Sequence, residues 1–301
     1  MAWQLTEDVE TYLAAAGGFL RARPAENTVI LTAAAAVRAR GPGAFGGSAP
    51  LFGWQAEPDG AVTAAFLHTP PFPVVLTAMA DGHAAGLAAT LAARGRQPAG
   101  VNAGTGIAAV FAAAWQDHTG QAARPGIRMR LYALGHLLPL DPPPPGQART
   151  AAAEDTALLL AWLDAFQHEA GPPGPAESER MVNDRIGFGG LVLWEHCGRP
   201  VSLAGRSRAV AGQARIGPVY TPPDLRGRGF GGAATVAVTR AALADGAEGV
   251  VLFADLANPA SNTLYQRLGY RPVSDWTVLR FTGAEPEARG GAVSQRRTSS
   301  G

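Results

Sequence analysis

Two stretches of this chain hold groups whose types and spacing can do chemistry. In Arg226-Gly-Arg-Gly-Phe-Gly-Gly232, glycines stand at 227, 229, 231 and 232. Glycine lets successive backbone amides (Gly227, Arg228, Gly229, Phe230, Gly231, Gly232) turn toward one anion, and a helix starting there adds partial positive charge at its N-terminus. The loop reads as a phosphate cradle with a pyrophosphate as its natural guest, or else as a glycine-rich turn with no ligand. Arg226 and Arg228 can add charge-assisted contacts or lie in solvent. In the second stretch, Asn258-Pro-Ala-Ser-Asn-Thr-Leu-Tyr-Gln-Arg-Leu-Gly-Tyr270, a short helix brings one phenol, Tyr265, to a fixed place. Asn258 can cap that helix, Pro259 suits its first position and Gly269 its stop. Packing beside Leu264 and Leu268 would account for Tyr265 equally well on these residues alone.

Other reactive groups are sparse. Cys197 is the single cysteine, so an intrachain disulfide and a multi-cysteine metal site are excluded. No motif positions a histidine beside it, which makes it a bystander beside a turn and not a nucleophile. The histidines do not fall at metal-ligand spacing, so no metal is expected. The formal net charge is +1, with 16% charged residues. That gives no basic field of the kind that dominates nucleic-acid affinity, and no nucleic-acid partner is expected. The basic side chains are all arginine and none is lysine, beside abundant Ala, Gly and Pro; this is read as coding bias. The N-terminus lacks the order of a secretory signal, and no apolar run reaches about 18 residues. A cytoplasmic protein without a membrane partner is expected.

The elements that must position these groups can be read around them. Residues 214–220 form a strand entering the loop, 230–244 a helix ended by Gly246, and 250–254 an apolar, buried strand. Before them, 151–170 and 177–186 read as helices, and 191–195 with 201–204 as an antiparallel hairpin turning at Cys197-Gly-Arg-Pro200. A last strand covers 277–281. The sum is a mixed α/β domain over 150–282. Asp141-Pro-Pro-Pro-Pro-Gly146 forbids helix and ladder alike, so 141–149 is expected to be a linker. Residues 283–301 are too polar to offset their ordering entropy and are expected to be a disordered tail. Within 1–140, strands at 62–68 and 74–79, a helix at 83–94, a strand at 100–102, a helix at 107–118 and a strand at 128–133 repeat the second half of that order. At the place of the glycine loop this copy has only Asp81-Gly82-His83, whose acid repels phosphate. Trp54, Phe66, Phe72 and Trp115 are expected in its core.

Gly227, Gly229 and Gly232 also fit the dinucleotide fingerprint, with Asp255 as a ribose-binding acid. Against that reading, Thr221 to Arg226 separate strand from glycine, and little chain remains for further parallel units. The same residues resemble the GCN5-related N-acetyltransferase superfamily. Arg226, Gly229 and Gly231 meet its cofactor-loop pattern. Asn258, Ser261, Leu264, Tyr265, Gly269 and Tyr270 meet its later helix signature, in order and at family spacing. The resemblance implies the acyl-CoA N-acyltransferase fold, a mixed α+β sheet, preceded by a degenerate copy of itself.

It also implies an acetyl-CoA-dependent N-acetyltransferase in which a primary amine of a small molecule or protein attacks directly. Val219, Tyr220 and Thr221 would bond the pantetheine arm through the main chain, and the amides from Gly227 to Gly232 would hold the pyrophosphate. Pro222-Pro223 would turn the chain toward it, and Asn258 would contact the arm as well as cap. A backbone amide near Tyr220 would polarise the carbonyl, and Tyr265, protonated at neutral pH, would give a proton to the thiolate. Glu195 and Asp255 are the candidates for the base, Glu195 first; a water chain can serve instead. The acceptor would sit between the hairpin, the Gly171 to Pro175 loop and the first domain. The alternatives are a sensor or scaffold that binds acyl-CoA without turnover and, further off, an NAD-type dinucleotide-binding protein. Acyl-chain length, acceptor and the choice between monomer and homodimer stay open.

Overall fold

A computed structural model describes residues 2–46, 48–170 and 175–283. The first half runs β1 (Gln4–Thr6), α1 (Val9–Ala22), α2 (Thr28–Arg40), β2 (Leu51–Ala56), β3 (Val62–His68), β4 (Val74–Leu76), α3 (Asp81–Ala93), β5 (Gly100–Gly104), α4 (Thr105–Thr119) and β6 (Ala123–Leu134). The second runs β7 (Gln147–Thr150), α5 (Thr156–Ala170), α6 (Pro175–Gly187), β8 (Leu191–His196), β9 (Arg199–Arg206), β10 (Gln213–Tyr220), α7 (Phe230–Ala244), β11 (Gly249–Asp255), α8 (Pro259–Arg267) and β12 (Tyr270–Phe281). The order of element types is the same in both halves, so the internal copy extends to β1, α1, α2 and β2, beyond what the pattern along the chain gives. Alanine hides that part: α2 reads Thr-Val-Ile-Leu-Thr-Ala-Ala-Ala-Ala-Val, with little contrast between its buried and outer faces. α1 has a clearer start, where Thr11 N donates to Asp8 Oδ2 at 2.8 Å, and it buries Tyr12, Ala16 and Leu20 along one stripe.

All twelve strands join one sheet, in the order β1-β2-β3-β4-β5-β12-β6-β11-β10-β9-β8-β7. Only β4 with β5 and β10 with β11 are parallel; every other pairing is antiparallel. The halves exchange their last strands. β6 lies between β11 and β12, pairing Ala133 with Val251 and Leu134 with Tyr270, while β12 continues onto β5 of the first half. Strand alternation then builds four cores. α1 and α2 cover Phe52, Leu67, Leu131 and Val251, and α5 and α6 cover Leu191, Leu193 and Leu203. On the opposite face α3 and α4 cover Phe66, Leu76 and Val101, and α7 and α8 cover Tyr132, Ile216, Leu252 and Tyr270. Trp54, Phe66 and Trp115 are buried, as expected of core residues, whereas Phe72 is only half-buried, its ring edge-on to Phe45.

Of the stretch expected to be a spacer, 141–149, the part from Gln147 belongs to β7 and pairs with β8, and the residues just before the stretch are laid against the second half. Gly135 N and Leu138 N donate to Gly269 O and Leu268 O, each at 3.0 Å. Leu137 and Leu140 pack on the core under α7, and Trp194 Nε1 donates to Pro145 O at 3.1 Å. Residues 284–301, and 171–174 of the expected acceptor loop, lie outside the described residues. No helix among the described residues is long and apolar enough to cross a membrane.

Candidate active site

The site begins where the parallel strands part. β10 pairs with β11 from Gln213–Gly249 to Ile216–Leu252, and no further. On its other edge β10 stays with β9, but the register slips between Ile216–Arg206 and Val219–Ala204. Gly217, at φ 145°, and Pro218 form this bulge. Proline has no N–H for a ladder, and the extra residue turns the strand away from its neighbour. Among the described residues, Val219 and Tyr220 therefore keep β9 on one side and have no strand on the other. Such an edge can receive an extended chain by main-chain pairing. Ser202 Oγ pins its end, donating to Tyr220 O at 3.0 Å and lying 2.9 Å from Thr221 Oγ1.

The strand then enters the glycine loop through a short 3-10 turn, Pro223–Leu225. Gly227 (φ 77°) and Gly229 (φ 81°) are left-handed, a conformation that other residues adopt only at a cost. Gly231 and Gly232 serve closeness instead. A Cβ at Gly231 would lie 3.1 Å from Thr221 Oγ1, and one at Gly232 would lie 2.9 Å from Leu140 and 3.0 Å from Leu264. Among the described residues the amides from Gly227 to Gly232 have no hydrogen-bond acceptor. They sit at the start of α7, where the helix dipole favours an anion. Arg228 is exposed and donates to Asp224 O at 3.2 Å. Arg226 is engaged elsewhere: it grips Glu169 at 2.7 and 2.8 Å, and its Nε donates to Thr221 O at 2.9 Å.

Tyr265 is buried between Tyr132 and Tyr270, with ring centroids 6.4 and 6.2 Å away. Its hydroxyl has no partner among the described residues, and burial pushes the phenol up to about 12. Tyr132 comes from β6, so the first half supplies part of this wall. Its hydroxyl donates to Asn262 Oδ1 at 2.8 Å, and Asn262 Nδ2 donates to Asp255 O and Asn258 O at 2.7 and 2.8 Å. Asn258 caps α8 by accepting from Ser261 N at 3.0 Å. Asp255 Oδ1 accepts from Ala257 N at 2.8 Å, closing the turn after β11.

Glu195, the first candidate for a base, lies on β8, two strands from the parted edge of β10, and is held in an ion pair. Its partner on β9 is Pro200, several residues along from the bulge, and Arg149 Nε donates to its Oε1 at 2.7 Å. The same guanidinium grips Asp155 at 2.6 and 2.8 Å, making a triad that ties β7, β8 and the turn before α5 together. Neither Arg149 nor Tyr132 stood out in the sequence, because each acts through a strand pairing that local pattern does not reveal. Cys197 lies exposed in the turn from β8 to β9, with Sγ 3.5 Å from His196 Nε2. In the first half only Thr77–Ala80 separate β4 from α3, which opens on Asp81, so no cradle forms there. No metal-binding group occurs among the described residues.

A sheet opened between two parallel strands, with a glycine loop leading from one of them into a helix, defines the class. The fold is that of the GCN5-related N-acetyltransferase superfamily in two-domain form. An acetyltransferase of this family from Colwellia psychrerythraea matches with a TM-score of 0.58 at 11% identity, over 93% of this chain and 99% of its own. A GCN5-related N-acetyltransferase from Sphaerobacter thermophilus matches at 0.57 and 18%, over 92% and 95%. One from Kribbella flavida matches at 0.50 and 21%, over 73% and 87%. More particularly, residues 198–279, from β9 to β12, match the family model of FR47-like proteins. No curated protein matches the sequence. The dinucleotide reading needs further parallel units after β11, and β11 is instead followed in the sheet by antiparallel β6.

Proposed function

We propose that the protein is an acetyl-CoA-dependent N-acetyltransferase. The observation that carries this reading is the continuity of an unpaired strand edge at Val219 and Tyr220 with a loop of unbonded amides from Gly227 to Gly232. An extended pantetheine arm and a pyrophosphate suit those features in that order. Arg228 is the guanidinium left to add charge at the phosphates, whereas Arg226 acts by fixing the loop to α5. Asn258 caps the helix from which Tyr265 projects.

The donor supplies an acetyl thioester. A primary amine forms the new C–N bond at its carbonyl carbon, the C–S bond breaks, and the electron pair leaves with sulfur. Tyr265, held protonated by burial, donates to that sulfur as its charge develops, and the ammonium proton returns through solvent to the phenolate. No carboxylate is assigned as the base.

The test is a thermal-shift series with acetyl-CoA, longer acyl-CoAs and NAD, followed by thiol release with a panel of amines. Stabilisation by acetyl-CoA with thiol release is expected. Stabilisation by NAD and not by acetyl-CoA overturns the reading, and stabilisation by acyl-CoA with no release from any amine points to a sensor.

A further inference from the structure

Two arginines stand on the far side of the opening from α7. On β10, Ala214 and Ile216 enter the core under α7, so Arg215 projects to the opposite face. There its Nη1 donates to Thr32 Oγ1 of α2 at 3.3 Å. Arg185, at the end of α6, donates to the carbonyl of Gly217, inside the bulge. It lies in space that Gly205 leaves free, since a Cβ there would come within 2.6 Å of Arg185 Nη1. Arg215 and Gly217 are two residues apart on one strand. Their attachment points on it are on the order of 6–7 Å apart, and the two guanidiniums are near enough to repel one another.

Neither guanidinium has a carboxylate at ion-pair distance among the described residues. Asp184, the acid that acts on Arg185 from the next position in the chain, pairs with Arg208 at 3.8 Å. Both arginines are half-buried. Desolvation first, and then repulsion from Arg215, pulls Arg185 down to about 10; desolvation also lowers Arg215. Two desolvated cations side by side are unfavourable unless something offsets them. A purely structural role would be met by apolar residues of similar volume. Farther along β10, Trp162 and Tyr220 lie 6.0 Å apart between ring centroids, with Arg226 over the Tyr220 ring.

We propose that Arg185 and Arg215 together bind a carboxylate at the opening, and that the amine accepting the acyl group carries it. Paired guanidiniums suit a planar carboxylate through parallel N–H donors. The inference rests on the transferase reading and narrows it, because a carboxylate held at Gly217 leaves the amine of the same molecule free to reach the edge at Val219 and Tyr220. A dicarboxylic acyl chain on the donor would present the same chemistry from the other substrate.

The test uses the full chain. Thiol release from acetyl-CoA is measured with free amino acids, their methyl esters and simple monoamines, and from succinyl-CoA with the same monoamines. Expected is a kcat/KM roughly 10- to 100-fold higher for the acids than for their esters, lost to that extent in Arg215→Gln and Arg185→Gln and partly restored in Arg215→Lys. A higher kcat/KM for succinyl-CoA than for acetyl-CoA with the monoamines, without a preference for acids over esters, keeps the carboxylate site and moves its source to the donor. Esters as good as acids together with no gain from succinyl-CoA, or a preference intact in both glutamine variants, overturn the proposal while leaving acetyl transfer standing. Thermal shift with the same amino acids separates the two readings. If no amine releases thiol but the acids stabilise the wild type and not the variants, the transferase reading fails and the carboxylate site stands. If no acid stabilises and none is acetylated, the site falls.

Discussion

At Tyr265 the phenol is enclosed by Tyr132 and Tyr270 and is held at a pKa of about 12. A group raised in this way carries its proton at every pH below that value. Tyr265→Phe should therefore lower kcat by roughly 10²- to 10⁴-fold while the thermal shift with acetyl-CoA is kept. The wild-type kcat should show no alkaline decline from this group up to about pH 10, since its proton is lost only near 12. Unchanged turnover in the variant removes the role. Asp155 tests the other cluster. Arg149 holds its carboxyl below the usual range, with help from Ala152 N at 2.8 Å. A depressed carboxyl stabilises the fold above its unfolded pKa near 3.8, and that contribution is lost as pH falls through the folded value. Asp155→Asn should cost about 1–3 kcal/mol at neutral pH. Urea midpoints of wild type and variant should converge in acid; a gap that stays constant would contradict the linkage.

The loop between β10 and α7 works as one element. Two of its glycines make the turn and two let α7 approach Thr221, Leu140 and Leu264. Gly229→Ala places a side chain at φ 81° and should cost about 1–2 kcal/mol. Because the same change re-aims the amides, the stabilisation by acetyl-CoA should shrink as well; Ala at an exposed helical position such as Arg240 should leave both unchanged. An undiminished ligand shift in Gly229→Ala would show that the loop does not hold the phosphates. This element was legible along the chain, since strand, glycines and helix are consecutive. The bulge beside it was not, because Gly217-Pro218 reads as an ordinary interruption until the register with β9 and β11 is known.

Across the whole molecule, the exchange of β6 and β12 makes each half complete the other's sheet. Neither half should fold alone. Residues 1–140 and 141–301 expressed separately should be insoluble or unfolded by circular dichroism, and co-expressed they should copurify as one complex. The intact chain should unfold in a single transition. Two independent transitions, or a folded isolated second half, would contradict this. The exchange also explains what the amino-acid order could and could not say. Consecutive residues carry their own conformational limits, so the glycine loop, the Asn258 cap, the buried strand at 250–254 and the missing cradle at Asp81 follow from residue types and spacing alone. Long-range pairing carries no such local mark. Only the tertiary structure brought Tyr132 to Tyr265, set Arg149 on Glu195, laid Leu140 and Pro145 against the second half, and left Arg185 and Arg215 near one another with no ion pair among the described residues. Each of those depends on which strand neighbours which, and that is decided by burial summed over the whole sheet.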